Sequence, residues 1–183
     1  MSEDLAKERL ALRTLASFAD DLRSMHPSEI AARIAPGFLV CQAHSPLSIP
    51  EGPVETQRVN IRLLRMAQEH NVLPTSPVFA LLRKPGSVYR FISVGRTRNC
   101  DIPVPDESVS KLHALIREGG GTFVIEDAGS RNGTFVDGAA AQKRGEGEPS
   151  ELRPGCTVAF GNVETRFYTP EAFQQLALDV VHG

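Results

Sequence analysis

The chain has 183 residues, 20 Lys and Arg against 22 Asp and Glu, a formal net charge of −2 and 41% hydrophobic residues. That length holds one ordinary domain with an extension or two small ones, and the apolar content supports a packed core, which excludes global disorder. The balanced charge lacks the basic excess of a nucleic-acid binder, and no run of 18 apolar residues exists to span a membrane, so neither partner is expected.

The first ten residues carry Glu3, Asp4, Lys7, Glu8 and Arg9 and lack the apolar core of a signal peptide. Residues 3–25 read as an amphipathic helix, with Leu5, Leu12, Leu15, Ala19 and Leu22 on one face. Pro27 ends it, because proline disfavours helical geometry in the residue before it. Ser28 reads as the N-cap of a short helix to about Ala35, with Glu29 in its first turn, and Pro36-Gly37 stops it. Phe38-Leu39-Val40 is a short apolar run, strand or buried coil. Residues 44–53 hold three prolines and read as a linker. A third helix is predicted over 54–70, with Asn71 as its cap.

From Pro77 the hydrophobic period changes from about 3.6 to 2. Strands are predicted over 78–82, 88–94, 102–104, 112–117, 122–126, 134–136, 157–160 and 163–168. Turns are predicted at Lys84-Pro85-Gly86-Ser87, Gly119-Gly120-Gly121, Asp137-Gly138, 151–155 and Gly161-Asn162. Residues 139–150 read as a weak strand followed by a loop. Short strands with Gly/Pro turns every 8–12 residues argue a β-sandwich. Thr169-Pro170-Glu171 opens a closing helix with an N-cap, a first-turn proline and an acid suited to the helix dipole.

Three polar, turn-rich pieces carry the chemistry. Arg96 follows Gly95 at a strand end, and its guanidinium suits a phosphate or carboxylate. Ser110 and Lys111 lie in a turn before a strand, where a hydroxyl and backbone N–H groups cup an anion. Asn132 precedes Gly133 in a turn that exposes the amide. An arginine, a hydroxyl, a lysine and an asparagine together suit a phosphorylated segment. Strand parity does not by itself gather these loops. In a simple meander, a real strand at 102–104 would put 95–101 and 105–111 at opposite ends.

Cys41, Cys100 and Cys156 match neither a metal spacing nor a disulfide framework and read as reduced, buried thiols of a cytoplasmic protein. The glycosylation pattern at Asn132-Gly133-Thr134 reads as accidental. His113, opening a strand, reads as structural rather than as a catalytic base. No catalytic constellation, metal cluster or phosphate-cradling P-loop is visible, so no enzyme, metal or cofactor is expected.

Residues 77–168 resemble the forkhead-associated (FHA) domain family. The resemblance rests on Gly95-Arg96, Asn99-Cys100-Asp101-Ile102, Val109-Ser110-Lys111-Leu112-His113-Ala114, Ser130-Arg131-Asn132-Gly133-Thr134 and Leu152-Arg153-Pro154-Gly155-Cys156-Thr157-Val158 before Gly161. It implies an eleven-strand β-sandwich over 76–169, preceded by a helical region 1–75 and followed by a helix 170–183. It also implies a phosphothreonine-reading adaptor that works with Ser/Thr kinases on a phosphothreonine-containing protein. Arg96 and Ser110 would contact the phosphate, with Lys111 adding charge. Arg131 would touch the phosphate or an adjacent peptide carbonyl, and Asn132 would hold the peptide main chain. His113 would brace the Ser110 loop from inside, while Gly95 and Gly133 serve backbone geometry. The alternative is a phosphate-independent interaction or oligomerisation scaffold, with the leucine stripe of 5–22 offering a homodimer contact. Packing of that stripe within the chain is the plainer expectation for so short a stripe.

Overall fold

The computed structural model describes residues 13–48, 70–87 and 89–182. In chain order its first strands are β1 (Arg13–Thr14), β2 (Phe38–Cys41), β3 (Pro77–Ala80), β4 (Ile92–Gly95), β5 (Ile102–Pro103) and β6 (Ala114–Gly119). Then come β7 (Thr122–Asp127), β8 (Thr134–Val136), β9 (Ala139–Ala140), β10 (Ser150–Leu152), β11 (Thr157–Phe160) and β12 (Val163–Tyr168). The helices are α1 (Leu15–Leu22), α2 (Pro27–Arg33) and α3 (Pro170–His182). A seven-stranded sheet, ordered β1-β3-β2-β12-β11-β8-β9, packs on a five-stranded sheet, ordered β10-β7-β6-β4-β5. The fold is mainly β, a sandwich as expected, with twelve strands among the described residues against the eleven that the resemblance implies.

Alternation along β2 explains the layering. Leu39 and Cys41 point between the sheets, among Phe79, Ile116, Ile125, Val158, Phe160 and Phe167. Phe38 and Val40 point the other way, into a second core beneath the helices with Leu15, Phe18, Leu22, Ile30, Phe173 and Ala177. All four β2 residues are buried, which is why this segment reads as a continuous apolar run rather than an alternating one. The Phe38 ring stacks on Phe173 at 4.0 Å, and Phe18 meets Phe173 edge-on at 5.3 Å. The Gln174 amide donates to the carbonyls of Leu22 and Met25 at 2.8 and 2.6 Å, tying α3 to the end of α1.

Several expectations shift. Of the helix expected over 3–25, residues 3–12 lie outside the described residues. Arg13–Thr14 is a strand paired with Val78 and Pro77, so α1 starts at Leu15. The cap of α2 is His26, not Ser28. The His26 ring accepts from Ser28 N–H while Glu29 accepts from His26 N–H at 2.9 Å, a reciprocal capping box with Pro27 at the first helical position. Residues 54–69 of the expected third helix lie outside the described residues. Asn71 adopts φ 54°, the left-handed conformation of a helix-ending residue. Of the strand expected over 88–94, residue 88 lies outside the described residues and β4 begins only at Ile92; the strand expected over 112–117 begins two residues later, at Ala114. Residues 150–152, placed partly in a turn, pair instead with β7.

The expected boundary at residue 75 cuts through the larger sheet. β2 lies between β12 and β3, hydrogen-bonded to both, so residues 38–41 are part of the sandwich. Leu15, Ala19 and Leu22 of the leucine stripe are fully buried against α3 and the sheet, which occupies that face within the chain.

Candidate functional site

Parallel pairing gathers the three loops. β5 runs parallel to β4, with Val94 opposite Ile102 and Gly95 opposite Pro103. The chain leaves β4 at Arg96 and is drawn back along it by Asp101. The Asp101 carboxylate accepts from Ser93 N–H at 2.8 Å, Ser93 Oγ–H at 2.6 Å and Lys84 N–H at 2.7 Å. β5 then ends at the same edge as β4, and Val104 N–H donates to Gly95 O at 2.9 Å. The segment 105–113 therefore starts where residue 96 departed. β6 and β7 form an antiparallel hairpin, and β6 is antiparallel to β4, which returns 128–133 to this end. The simple meander weighed from the sequence does not occur.

Contacts within this end lock the loops together. A Cβ on Gly95 would lie 2.3 Å from Lys111 O, so only glycine lets the end of β4 approach the 110–112 segment. Arg96 N–H donates to Ser110 O at 2.9 Å, and Thr97 Oγ1 to Lys111 O at 3.1 Å. Arg131 N–H donates to Ser110 Oγ at 3.1 Å, and Asn132 Nδ2 to Ser108 O at 2.7 Å. Ser108 Oγ in turn accepts from Asn162 N–H at 2.9 Å.

His113 is the internal brace. Its ring is fully buried. Ser110 N–H donates to Nδ1 at 3.0 Å, so Nδ1 carries no proton, and Nε2–H donates to Gly133 O at 3.0 Å. Burial holds the imidazole pKa below its ordinary value, against the pull of Gly133 O and the Asp127 charge. Both ring nitrogens are engaged by backbone, the arrangement of a strut rather than of a base facing a substrate. Gly133 has φ 80°, a conformation that favours glycine.

Asp127, at the end of β7, shapes the third loop. Its Oδ1 accepts from Gly129 N–H and Ser130 N–H, both at 2.8 Å. Its Oδ2 accepts from Ser130 Oγ–H at 2.6 Å and Thr134 Oγ1–H at 2.7 Å. Burial by itself would raise this carboxyl's pKa. The hydrogen bonds from Ser130, Thr134 and Gly129 outweigh it and leave the pKa below the usual carboxylate value. Asp127, Ser108 and Thr97 were not singled out from the sequence. The spacing Asp127-Ala128-Gly129-Ser130 is the signal of a side-chain-capped turn that could have found the first.

The outward chemistry is cationic. Arg96, Lys111, Arg131 and Asn132 are exposed around the half-buried Ser110. Among the described residues, no ion pair or side-chain hydrogen bond engages the Arg96 or Arg131 guanidinium or the Lys111 ammonium. All five expected contact residues stand at one end of the sandwich, with Gly95, His113 and Gly133 behind them. Cys100 Sγ lies under the same end, donating to Lys111 O at 3.2 Å. Cys41 and Cys156 lie elsewhere in the sandwich core, their thiols pushed by burial to about 12 and about 11.

Residues 92–161 match the family model described as FHA domain, which bears out the resemblance read from the sequence. The chain is 29% identical over 107 residues to the oxoglutarate dehydrogenase inhibitor of Corynebacterium jeikeium, covering 49% of this chain and 74% of that protein. It is 38% identical over 68 residues to the glycogen accumulation regulator GarA of Mycolicibacterium smegmatis, covering 34% of this chain and 43% of that protein. A solved structure from work on phosphothreonine-dependent FHA domain interactions shares 25% identity, with a TM-score of 0.42 over 50% of this chain and 83% of that one. Among the described residues, no helix is long and apolar enough to cross a membrane.

Proposed function

We propose that this protein is a phosphothreonine-peptide-binding adaptor that acts with Ser/Thr protein kinases and catalyses no reaction itself. The observation that carries the reading is the convergence on Ser110. Arg96 N–H holds its carbonyl, Arg131 N–H holds its hydroxyl oxygen, and both arginine side chains are left without a partner among the described residues. Ser110 Oγ accepts from Arg131, so its own proton is available to a phosphate oxygen. Arg96 and Lys111 balance a phosphate charge of about −2. Arg131 adds to the phosphate or to a neighbouring carbonyl. The Asn132 carboxamide keeps its oxygen and one N–H for a peptide main chain after its bond to Ser108. The match to the FHA domain supports the same ligand, and the regulator and inhibitor among the relatives support a non-catalytic role.

We assign the helices to the same folded unit, as a brace behind the larger sheet, and place the protein in the cytoplasm, where its thiols stay reduced. The test is a calorimetric titration of the Arg96→Ala variant with a phosphothreonine peptide that the wild type binds. Loss of this charge-assisted contact costs about 2–5 kcal/mol, roughly 30-fold or more in affinity. The melting temperature stays near the wild-type value, because the side chain is exposed. Retention of wild-type affinity in Arg96→Ala overturns the assignment.

A further inference from the structure

We propose a second docking site, at the opposite end of β4, for an unphosphorylated acidic peptide segment carrying one large apolar side chain. A cleft of about 360 Å³ opens there between the end of β3, the start of β4 and the end of β6. Its partly exposed apolar walls are Pro36 and Leu82, above the buried core residues Leu81, Ile92 and Ile116, and Arg83 and Arg90 stand exposed beside it. That volume falls within the range of specific ligand clefts, and Pro36 and Leu82 offer contact to one apolar side chain.

The rim is built rather than loose. Arg83 Nη1 donates to Tyr89 O at 2.7 Å, which holds the 89–91 segment beside the cleft. Tyr89 stacks on Phe91 at 4.9 Å yet remains 58% exposed, one of two large hydrophobic side chains so exposed among the described residues. The Arg144 guanidinium lies over Phe91, 5.3 Å from the ring centroid. It is carried there by a strap that the sequence presented as a featureless loop. Gln142 O accepts from Asp127 N–H and Asp127 O from Arg144 N–H, both at 2.9 Å.

Charge selects the occupant. Arg83 and Arg90 line this corner and Arg144 stands over the neighbouring Phe91, while Glu118 is the one acidic residue lining the cleft, on a chain whose net charge is −2. A locally basic rim beside partly exposed apolar walls, with an exposed tyrosine next to it, complements an acidic segment with an apolar anchor. The site does not depend on the phosphothreonine reading, because Arg90 and Arg96 flank opposite ends of β4.

The test uses the full chain and two unphosphorylated, fluorescein-labelled hexapeptide pools. Each has a central Leu or Phe, flanked by Glu and Asp in one pool and by Lys in the other. Anisotropy should show saturable binding of the acidic pool alone, weakening as salt is raised. The Arg83→Glu/Arg90→Glu double variant should lose at least tenfold in affinity, whereas Arg96→Ala should bind this pool as wild type does. Bound peptide should shift the amide resonances of Ile92 and Ile116 in a nitrogen–proton NMR spectrum. Absence of binding, equal binding of the basic pool, or an acidic-pool affinity lowered by Arg96→Ala but not by the double variant overturns the proposal.

Discussion

Replacing Asp127 by alanine removes the acceptor for four hydrogen bonds at once, and the loss can be apportioned from their surroundings. The Thr134 hydroxyl belongs to a residue only 1% exposed and finds no water to replace Oδ2, a penalty of about 1–3 kcal/mol. The N–H groups of Gly129 and Ser130 and the Ser130 hydroxyl lie in a turn open to solvent and rehydrate, so each of these three bonds contributes about 0.5–1.5 kcal/mol. The sum is about 2.5–7.5 kcal/mol, and with roughly 2–4 °C per kcal/mol for a chain of this size the melting temperature should fall by about 10–15 °C. Asp127→Asn keeps an oxygen for the two backbone donors and should lose about half as much. Urea unfolding of the three proteins, with slopes compared to confirm a common unfolded state, measures the differences. The same turn carries Arg131 and Asn132, so phosphopeptide affinity should fall in the same order. A destabilisation below about 1 kcal/mol for Asp127→Ala, or equal losses for the two variants, refutes the role given to this carboxylate.

Gly95→Ala should drive the Lys111 carbonyl away from β4, because a Cβ 2.3 Å from a backbone oxygen cannot be accommodated by a side-chain rotation. Overpacking of this kind costs about 1–3 kcal/mol, and calorimetry should show a disproportionate loss of peptide affinity. Acid should loosen the same end in two stages. His113 has a folded pKa below its ordinary 6.5, so its contribution is complete above that value and declines as pH falls below it, where the unfolded chain takes up the proton first. Asp127, also depressed, adds a second loss below its ordinary 3.8. Thermal melts between pH 8 and 3 should show both declines, the first of them missing in His113→Gln.

The strands with Gly/Pro punctuation were legible because their local signals agree with their tertiary use. The Asp137-Gly138 turn, the β11–β12 hairpin and the start of α3 lie where the sequence puts them. Arg13–Thr14 was not legible, since two residues inside a helical pattern become a strand only through pairing with Val78 and Pro77. Likewise β10 owes its existence to β7, and the 141–149 strap to Asp127. The residue types of the site were readable, but their gathering was not. It depends on the parallel pairing of β4 with β5, a long-range fact invisible to a parity argument made on single strands. The supporting polar groups, Asp127 and Ser108, were missed because each acts on residues that only the fold brings near.

The phosphothreonine-reading role is put to the test by titrating the purified protein with a pool of phosphothreonine peptides, beside the same pool unphosphorylated and with phosphoserine. The expected result is micromolar affinity, about −8 kcal/mol, for phosphothreonine alone. Equal binding of phosphorylated and unphosphorylated pools, or no binding of any pool, would contradict it.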